Sequence, residues 1–283
     1  MSANVLFDAP GPKTAARHRA YAIVTAVALV AVLAWVIYRF NEKGQFESSK
    51  WEVFVTPDYV RVLLVDGLLK TLQMAATAII GAVAFGVVFG VGKLSDHAWV
   101  RVPSALVVEF FRAVPVLLLM VFTWYWLGIN ADNSSYWAVV LALTAYNGAV
   151  LAEVLRAGIN AVPKGQSEAA YAIGMRKNQV MRLVQMPQAV KIMLPAIISQ
   201  CIVALKDTAL GIYVLAPGLT YVARQIYLDP QFNNRVPTMF VVAVLYVSVN
   251  LLLTLLATWL QKRYAGEKKI DLAAARGPRN PER

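Results

Sequence analysis

The chain has 283 residues, of which 59% are hydrophobic and 15% are charged, and its formal net charge is +11. Soluble domains carry roughly 25% charged residues, so this composition excludes an ordinary soluble protein. In a soluble protein the positive charge would suggest nucleic acid. In a chain this apolar, it indicates basic loops at the cytoplasmic face of a membrane and no nucleic-acid partner.

The N-terminal region combines a basic tail, residues 1–19, with one apolar stretch, residues 20–40. A cleaved signal peptide would have a shorter apolar run and a small-residue cleavage site, and Tyr38-Arg39-Phe40 offers none. We therefore expect an uncleaved transmembrane helix. Residues 41–66 are mixed in charge and predict an extracytoplasmic loop with an interfacial or re-entrant piece.

Five more apolar segments follow, and each is long enough to cross a bilayer. They run from Gly67 to Gly92, Pro103 to Leu127, Tyr136 to Ala157, Ile192 to Leu215 and Met239 to Leu260. Gly86-x-x-x-Gly90 permits another helix backbone to approach closely, without indicating which one. Pro195 is expected to break the fifth span.

The distribution of basic residues predicts the orientation. With six spans, Lys and Arg number 18 on the side of both termini and 6 on the opposite side. The positive-inside rule therefore places both termini in the cytoplasm, together with the loop between the fourth and fifth spans.

That loop contains a helix-forming stretch from Ser167 to Pro187. Gln166 or Ser167 is expected to cap a short helix, with Glu168 in its first turn. Gly174 is expected to turn the chain with a positive φ angle, because glycine alone adopts it without strain. Asn178 would then cap a second short helix, which runs from Gln179 to Gln185 and ends at Pro187.

Two short helices at an angle would form a rigid docking element for another protein. The alternative is an amphipathic helix that lies on the lipid surface. The face formed by Ala169, Ala170 and Ala172 carries few large apolar anchors, which favours docking.

The chain lacks the patterns of a catalytic, nucleotide or metal site. Gly92-Lys93 is followed by Leu94, so the hydroxyl that a phosphate-binding loop uses to hold magnesium is missing. A single cysteine and two histidines, without metal-ligand spacing, predict no metal. We expect no catalytic residues and no enzyme activity, so a partner chain or an ion gradient must supply the energy.

Glu168-Ala-Ala-x-x-x-Gly174, followed by Val184-x-Met186-Pro187, resembles the EAA loop of permease subunits of bacterial ATP-binding cassette (ABC) importers. The resemblance covers about residues 57–263 and is most similar to the branch for polar amino acids of the histidine, glutamine and glutamate type. Further motifs that carry it are Gly67-x-x-x-Thr71-Leu72, Phe111-Arg112-x-x-Pro115 and Leu205-Lys-Asp-Thr208.

The Arg112-Ala-Val-Pro115 variant and the extra N-terminal span are most similar to one of the two permeases of actinobacterial glutamate importers. Many relatives have Arg-Gly-Thr-Pro in place of Arg112-Ala-Val-Pro115, and Asp-Thr-Ser-Leu in place of Asp207-Thr-Ala-Leu210. These departures lie near the expected solute pathway and leave the loop unchanged.

The resemblance implies an all-α integral membrane fold of six transmembrane helices, one N-terminal helix plus a five-helix permease core, with a cytoplasmic coupling helix. The core would cover 67–263 with its coupling loop at 163–189, and a basic cytoplasmic tail would cover 264–283. The expected location is the bacterial plasma membrane, crossed several times, with both termini cytoplasmic.

The function implied is ATP-driven uptake of a polar amino acid, glutamate or a related one. A separate ABC ATPase would bind ATP and Mg, and this chain would hold no cofactor. Other implied partners are a second permease, identical or a paralogue, and an extracytoplasmic substrate-binding protein. The alternative is a secondary transporter driven by an ion gradient, which would not need the loop.

The candidate site residues form three groups. The residues expected to couple to the ATPase are Glu168, Ala169, Ala170, Gly174, Met175, Gln179, Val184 and Pro187. The candidates for the solute pathway are Arg112, Asn147, Lys206, Asp207 and Thr208. The residues expected to give structural support are Glu109, Glu153, Arg156, Pro115 and Pro195.

Physical reasons separate these roles. Glu109 with Arg112, and Glu153 with Arg156, are spaced i,i+3, so each pair can neutralise itself on one helix face. Lys206 could bind a solute carboxylate, while Pro115 and Pro195 would free backbone groups nearby. For Asn147 a hydrogen bond between helices is the alternative to contact with solute.

Overall fold

The computed structural model describes residues 11–265, and these form helices joined by short turns, without a β-strand. Part of the predicted tail 1–19 and nearly all of the predicted tail 264–283 lie outside the described residues. The helices are α1 Pro12–Glu42, α2 Ser48–Trp51, α3 Pro57–Lys93, α4 Ala98–Ala113, α5 Val116–Leu127, α6 Ser134–Asn160, α7 Lys164–Ala172, α8 Lys177–Val214, α9 Leu219–Leu228 and α10 Arg235–Ala265.

Within residues 11–265, the helices α1, α3, α6, α8 and α10 are each long and apolar enough to cross a bilayer, and α4 with α5 forms a pair bent by 104°. Helix α3 begins at Pro57, inside the predicted loop 41–66. The apolar window of α1 has no buried residue, so this helix crosses beside the bundle rather than within it.

The bent pair is a complete crossing, because its neighbours α3 and α6 run parallel. Gly81 lies against Thr144, Gly86 against Leu151 and Gly90 against Leu155, so residue numbers rise together along both helices. Helix α6 therefore begins at the membrane face opposite Lys93, where α3 ends. The chain must cross once more between them, which confirms the prediction of six spans.

The two proline predictions have opposite outcomes. Val114 adopts the extended conformation that a following proline favours, and the third span is divided there, with Pro115 directly before α5. The prediction that Pro195 breaks the fifth span was wrong, because α8 continues through it and becomes a 3-10 helix only at Thr208. A membrane helix can lose one backbone hydrogen bond at proline where neighbouring helices support it, and α8 packs on α6 and α10.

The close approach predicted by Gly86 and Gly90 occurs between α3 and α6. A Cβ atom on Gly86 would lie 2.8 Å from that of Leu151, and one on Gly90 would lie 3.0 Å from the carbonyl oxygen of Ala152. The first distance is shorter than side chains tolerate and the second is tighter than an ordinary contact, so a larger residue at either position would force α3 and α6 apart.

The remaining helices alternate in direction. Asn147 contacts Gln200 and Gly158 lies against Met193, so α6 and α8 are antiparallel. The end of α1 and the beginning of α10 line one groove, which includes Ile37 and Phe240. The beginning of α1 and the end of α10 therefore share the face at which α7 lies.

Candidate functional site

The coupling loop begins with α7, which starts at Lys164 directly after Pro163. The predicted caps Gln166 and Ser167 were wrong, because both lie inside the helix and the Ser167 hydroxyl donates to the carbonyl of Lys164 at 2.8 Å. The extended conformation of Pro163 sets the earlier start, and Glu168 consequently lies in the second turn.

Gly174 ends α7 with φ of +82°, as the sequence predicts. The N–H of Gly174 donates to the carbonyl of Tyr171 at 2.9 Å, and that of Met175 donates to the carbonyl of Ala170 at 3.2 Å. This pair of bonds is a Schellman motif, which satisfies helix-end carbonyls and requires a left-handed residue at the glycine position. Nothing lies within 4 Å of a Cβ atom built on Gly174, so its backbone angle alone disfavours other residues there.

The second half of the loop is an extension of α8, not a separate short helix. It starts at Lys177, where the Arg176 N–H donates to Oε1 of Gln179 at 2.8 Å, so the predicted cap at Asn178 was wrong. The predicted end at Pro187 was also wrong. A π-helical turn that includes Val184 precedes the proline, and this wider hydrogen-bond pattern carries the helix on into the membrane.

One face of the loop packs inward and the other is free. Ala170 and Val180 are buried where α7 lies against the first turns of α8. The outward face presents Ile173, 79% exposed, Leu183, 68% exposed, and Tyr171, 48% exposed. These larger apolar side chains were not predicted from the sequence, although Tyr171 and Ile173 lie inside the Glu168–Gly174 motif and Leu183 directly precedes Val184.

The outward face also includes the other predicted coupling residues. Glu168, Ala169, Gly174, Gln179 and Pro187 are exposed, while Met175 and Val184 are half-buried. This face therefore combines the carboxylate of Glu168 with exposed apolar side chains.

An ion pair ties this loop to the turn between α3 and α4. The ammonium of Lys177 donates to the carboxylate of Asp96. This hydrogen bond lowers the pKa of Asp96 below the ordinary value of a carboxyl group. The loop thus contacts the turn that joins two membrane helices.

Near the same face, a cluster of five charges joins three helices. Lys93 at the end of α3 contacts Glu109 on α4 at 3.1 Å and Glu153 on α6 at 2.7 Å. Glu109 pairs with Arg112 at 3.3 Å, and Nε of Arg156 donates to Glu153 at 2.8 Å. Both predicted i,i+3 pairs form, and Arg112 takes part in this cluster.

Lys93 was not predicted to take part in this cluster, because the Gly92-Lys93 pair had been considered only as a nucleotide motif. Its side chain is 9% exposed and lies between two carboxylates. The signal that could have identified Lys93 is its position at the end of an apolar span, together with the carboxylates on neighbouring spans.

The other pathway candidates lie deeper in the membrane. Asn147 is buried, and its Oδ1 accepts a hydrogen bond from Nε2 of Gln200 at 2.6 Å. Lys206, Asp207 and Thr208 lie where α8 changes to a 3-10 helix. The hydroxyl of Thr208 donates to the Leu205 carbonyl at 2.6 Å, while the Lys206 side chain lines an open groove.

Residues 82–266 match the family model described as binding-protein-dependent transport system inner membrane component. The chain belongs to this family. It is therefore the permease subunit of an ABC importer, embedded in a membrane, and it is not an enzyme. This outcome confirms the predicted family and decides against the secondary transporter.

Individual relatives agree with this class. The glutamate transport system permease protein GluD of Corynebacterium glutamicum is 36% identical to this permease, over 84% of this chain and 88% of its own. The probable glutamine ABC transporter permease protein GlnP of Bacillus subtilis is 34% identical, over 70% of this chain and 92% of its own. A crystal structure of an amino acid ABC transporter with histidines matches with a TM-score of 0.68 at 28% identity, over 74% of this chain and 98% of that chain.

Proposed function

We propose that this permease imports a polar amino acid, glutamate or a closely related one, through the bacterial plasma membrane. The observation that supports this substrate class most directly is the similarity to permeases named for glutamate and glutamine. Lys206, a cation exposed in a groove at membrane depth, agrees with a solute that carries a carboxylate.

The energy comes from a separate ATPase that binds ATP and Mg and docks on the outward face of α7. Ile173 and Leu183 provide apolar anchors, and Gly174 holds the turn between them. Together with a second permease chain and an external binding protein, this ATPase completes the importer.

The α7 face is cytoplasmic, with both termini on the same side. The excess of basic residues supports this orientation, because Lys and Arg are enriched in cytoplasmic loops. In this orientation Lys93 and its carboxylates lie near the inner face, and the Lys177–Asp96 pair carries movement of the loop to α3 and α4.

ATP-driven closure of the ATPase shifts the permease between inward-facing and outward-facing states. A docked ATPase can shift this equilibrium only if it binds the two states with different affinities. The rigid connection from α7 into α8 provides a way to meet this condition, because α8 continues as one helix from the docking face to Val214.

Reconstitution tests the proposal. Vesicles are prepared that contain the permease, its ATPase, the second permease and the binding protein. Uptake of radiolabelled L-glutamate is then measured with ATP inside the vesicles, with ATP outside them, and without ATP. We expect uptake only with ATP on the α7 side. Deletion of residues 168–175 should abolish copurification of the ATPase. Uptake driven by a proton or sodium gradient without ATP would overturn the proposal.

A further inference from the structure

Helix α1 begins well outside the apolar stretch that crosses the membrane. It runs from Pro12 to Glu42, and 31 residues of helix cover about 46 Å. The apolar stretch runs from Ala20 to Tyr38 and covers about 28 Å, close to the thickness of the hydrocarbon core. The first two turns of α1, residues 12–19, therefore lie outside the hydrocarbon, at the level of the lipid head groups.

These two turns carry an unbalanced positive charge. We call Lys13, Arg17 and Arg19 the basic group, and all three side chains are exposed. No Asp or Glu occurs in residues 12–38. Among residues 11–265, no carboxylate lies within ion-pair distance of the basic group. The described part of the chain thus supplies no anion for these three cations.

The position of the basic group is unfavourable for the helix itself. The N-terminus of a helix carries a partial positive charge, so cations in its first turns are destabilising. Lys13 and Arg17 are also spaced i,i+4, and like charges at this spacing repel each other on one helix face. Since local rules are broken mainly at functional positions, this charge pattern indicates an anion from outside the helix.

The two ends of α1 have different surroundings. Just after its last turn, the ammonium of Lys50 donates to the carbonyl of Gly44 at 3.0 Å, and the indole N–H of Trp51 donates to that of Gln45 at 2.9 Å. The apolar window of α1 has no buried residue, and no side-chain hydrogen bond joins the basic group to another described residue. Protein contacts therefore hold the end of α1, whereas bilayer lipid surrounds its beginning.

We propose that the basic group binds the head groups of anionic phospholipids in the leaflet where α1 begins. Any phospholipid phosphate can accept hydrogen bonds from Lys and Arg, but only an anionic lipid also brings the net negative charge that this helix start lacks. Each Lys or Arg beside an anionic membrane surface favours such lipids by about fivefold. This inference requires only that α1 is a membrane helix, and it is independent of the solute that the importer carries.

Arg39, near the other end of the same helix, provides a comparison within the molecule. Its guanidinium donates to Oε2 of Glu42 at 2.7 Å, so a carboxylate one turn away balances its charge. The C-terminal end of a helix also favours a cation, because the partial charge there is negative. Arg39 therefore needs no anion from the membrane, and the charge of the surrounding lipid should matter little to it.

Fluorescence quenching in the assembled importer measures this lipid preference. A fluorophore on Ala16→Cys, in a Cys201→Ser background, reports which lipids lie beside the basic group. The importer is placed in phosphatidylcholine vesicles that contain a small share of nitroxide-labelled phosphatidylglycerol or, in parallel, of equally labelled phosphatidylcholine. We expect phosphatidylglycerol to quench as if enriched at least about tenfold, and less so at high salt. Equal quenching by the two lipids would overturn the proposal.

Single substitutions separate the basic group from positive charge in general. Arg17→Gln should lower the preference for phosphatidylglycerol about fivefold, whereas Arg17→Lys and Arg39→Gln should each change it by less than about twofold. Coelution with the ATPase verifies assembly of each variant. Equal effects of Arg17→Gln and Arg39→Gln would overturn the assignment to the basic group. Loss of the preference on adding inorganic phosphate at constant ionic strength would indicate a site for free anions and would also overturn it.

Discussion

The ammonium of Lys93 lies 2.7 Å from Oε2 of Glu153, joining the end of α3 to α6. The same ammonium contacts Glu109 on α4, so one lysine compensates carboxylates from two other helices. This arrangement holds together the ends of three membrane helices beside the coupling loop.

Replacing this lysine should destabilise the helix ends. Lys93→Met removes the cation that joins α3 to Glu109 and Glu153, while each carboxylate keeps its arginine partner, so we expect a loss of about 1–2 kcal/mol in unfolding free energy. Thermal unfolding in detergent measures the loss.

Arg112→Met is the matched control, since Arg112 pairs with Glu109 at a more exposed position. Its cost should stay below about 1 kcal/mol. Equal losses for Lys93→Met and Arg112→Met would contradict a central role for Lys93.

The turn at Gly174 should tolerate asparagine better than valine. A left-handed residue with a Cβ atom costs about 1–2 kcal/mol, and asparagine adopts this conformation more readily than a β-branched residue. Apart from Gly174 and its two neighbours in the chain, no described atom lies within 4 Å of the added Cβ, so the difference reports backbone conformation. We expect Gly174→Val to lower ATPase activity in the complex more than Gly174→Asn, with membrane insertion of both unchanged. Identical activity of the two variants would argue against this role.

A charge placed on the docking face should weaken motor binding. Ile173→Asp introduces a carboxylate where an apolar side chain is 79% exposed, and burying it against a partner is unfavourable. Copurification of the ATPase should fall at least about tenfold. Val55→Asp is the control, because Val55 is 78% exposed in the segment before α3, at the opposite face. If Ile173→Asp binds the ATPase as well as the wild type does, this surface is not the docking site of the ATPase.

The hydrogen bond between Asn147 and Gln200 allows a test of whether Asn147 joins two helices or contacts the solute. If Asn147 joins α6 to α8, Asn147→Leu should lower the unfolding free energy by about 1 kcal/mol and leave KM for L-glutamate unchanged. Gln200→Leu should have a similar effect, because it removes the same bond. A large rise in KM with unchanged thermal stability would instead indicate contact with solute.

The pKa of Asp96 should depend on Lys177. Because the ion pair lowers this pKa, the bond is intact at neutral pH and is lost only as pH falls through the lowered value. Lys177→Met should raise the pKa of Asp96 toward that of an ordinary carboxyl group, as measured by NMR of labelled aspartate. Lys164→Met, which changes another loop lysine, should leave it unaltered.

Local patterns made much of this fold predictable. Six spans follow from apolar length, and the turn at Gly174 follows from the steric freedom of glycine. Helix ends were less predictable. Ser167 and Asn178 can cap a helix in any short loop, but Pro163 and the Gln179 side chain determine where the two helices begin.

The amino-acid sequence by itself determined the class of the protein, because hydropathy, basic loops and the EAA motif depend on residue type and spacing. The tertiary structure decided which residues meet. Lys93 contacts Glu153 across 60 positions of sequence, and Asn147 contacts Gln200 because α6 and α8 pack against each other. Such contacts depend on helix direction and rotation, which no local pattern encodes.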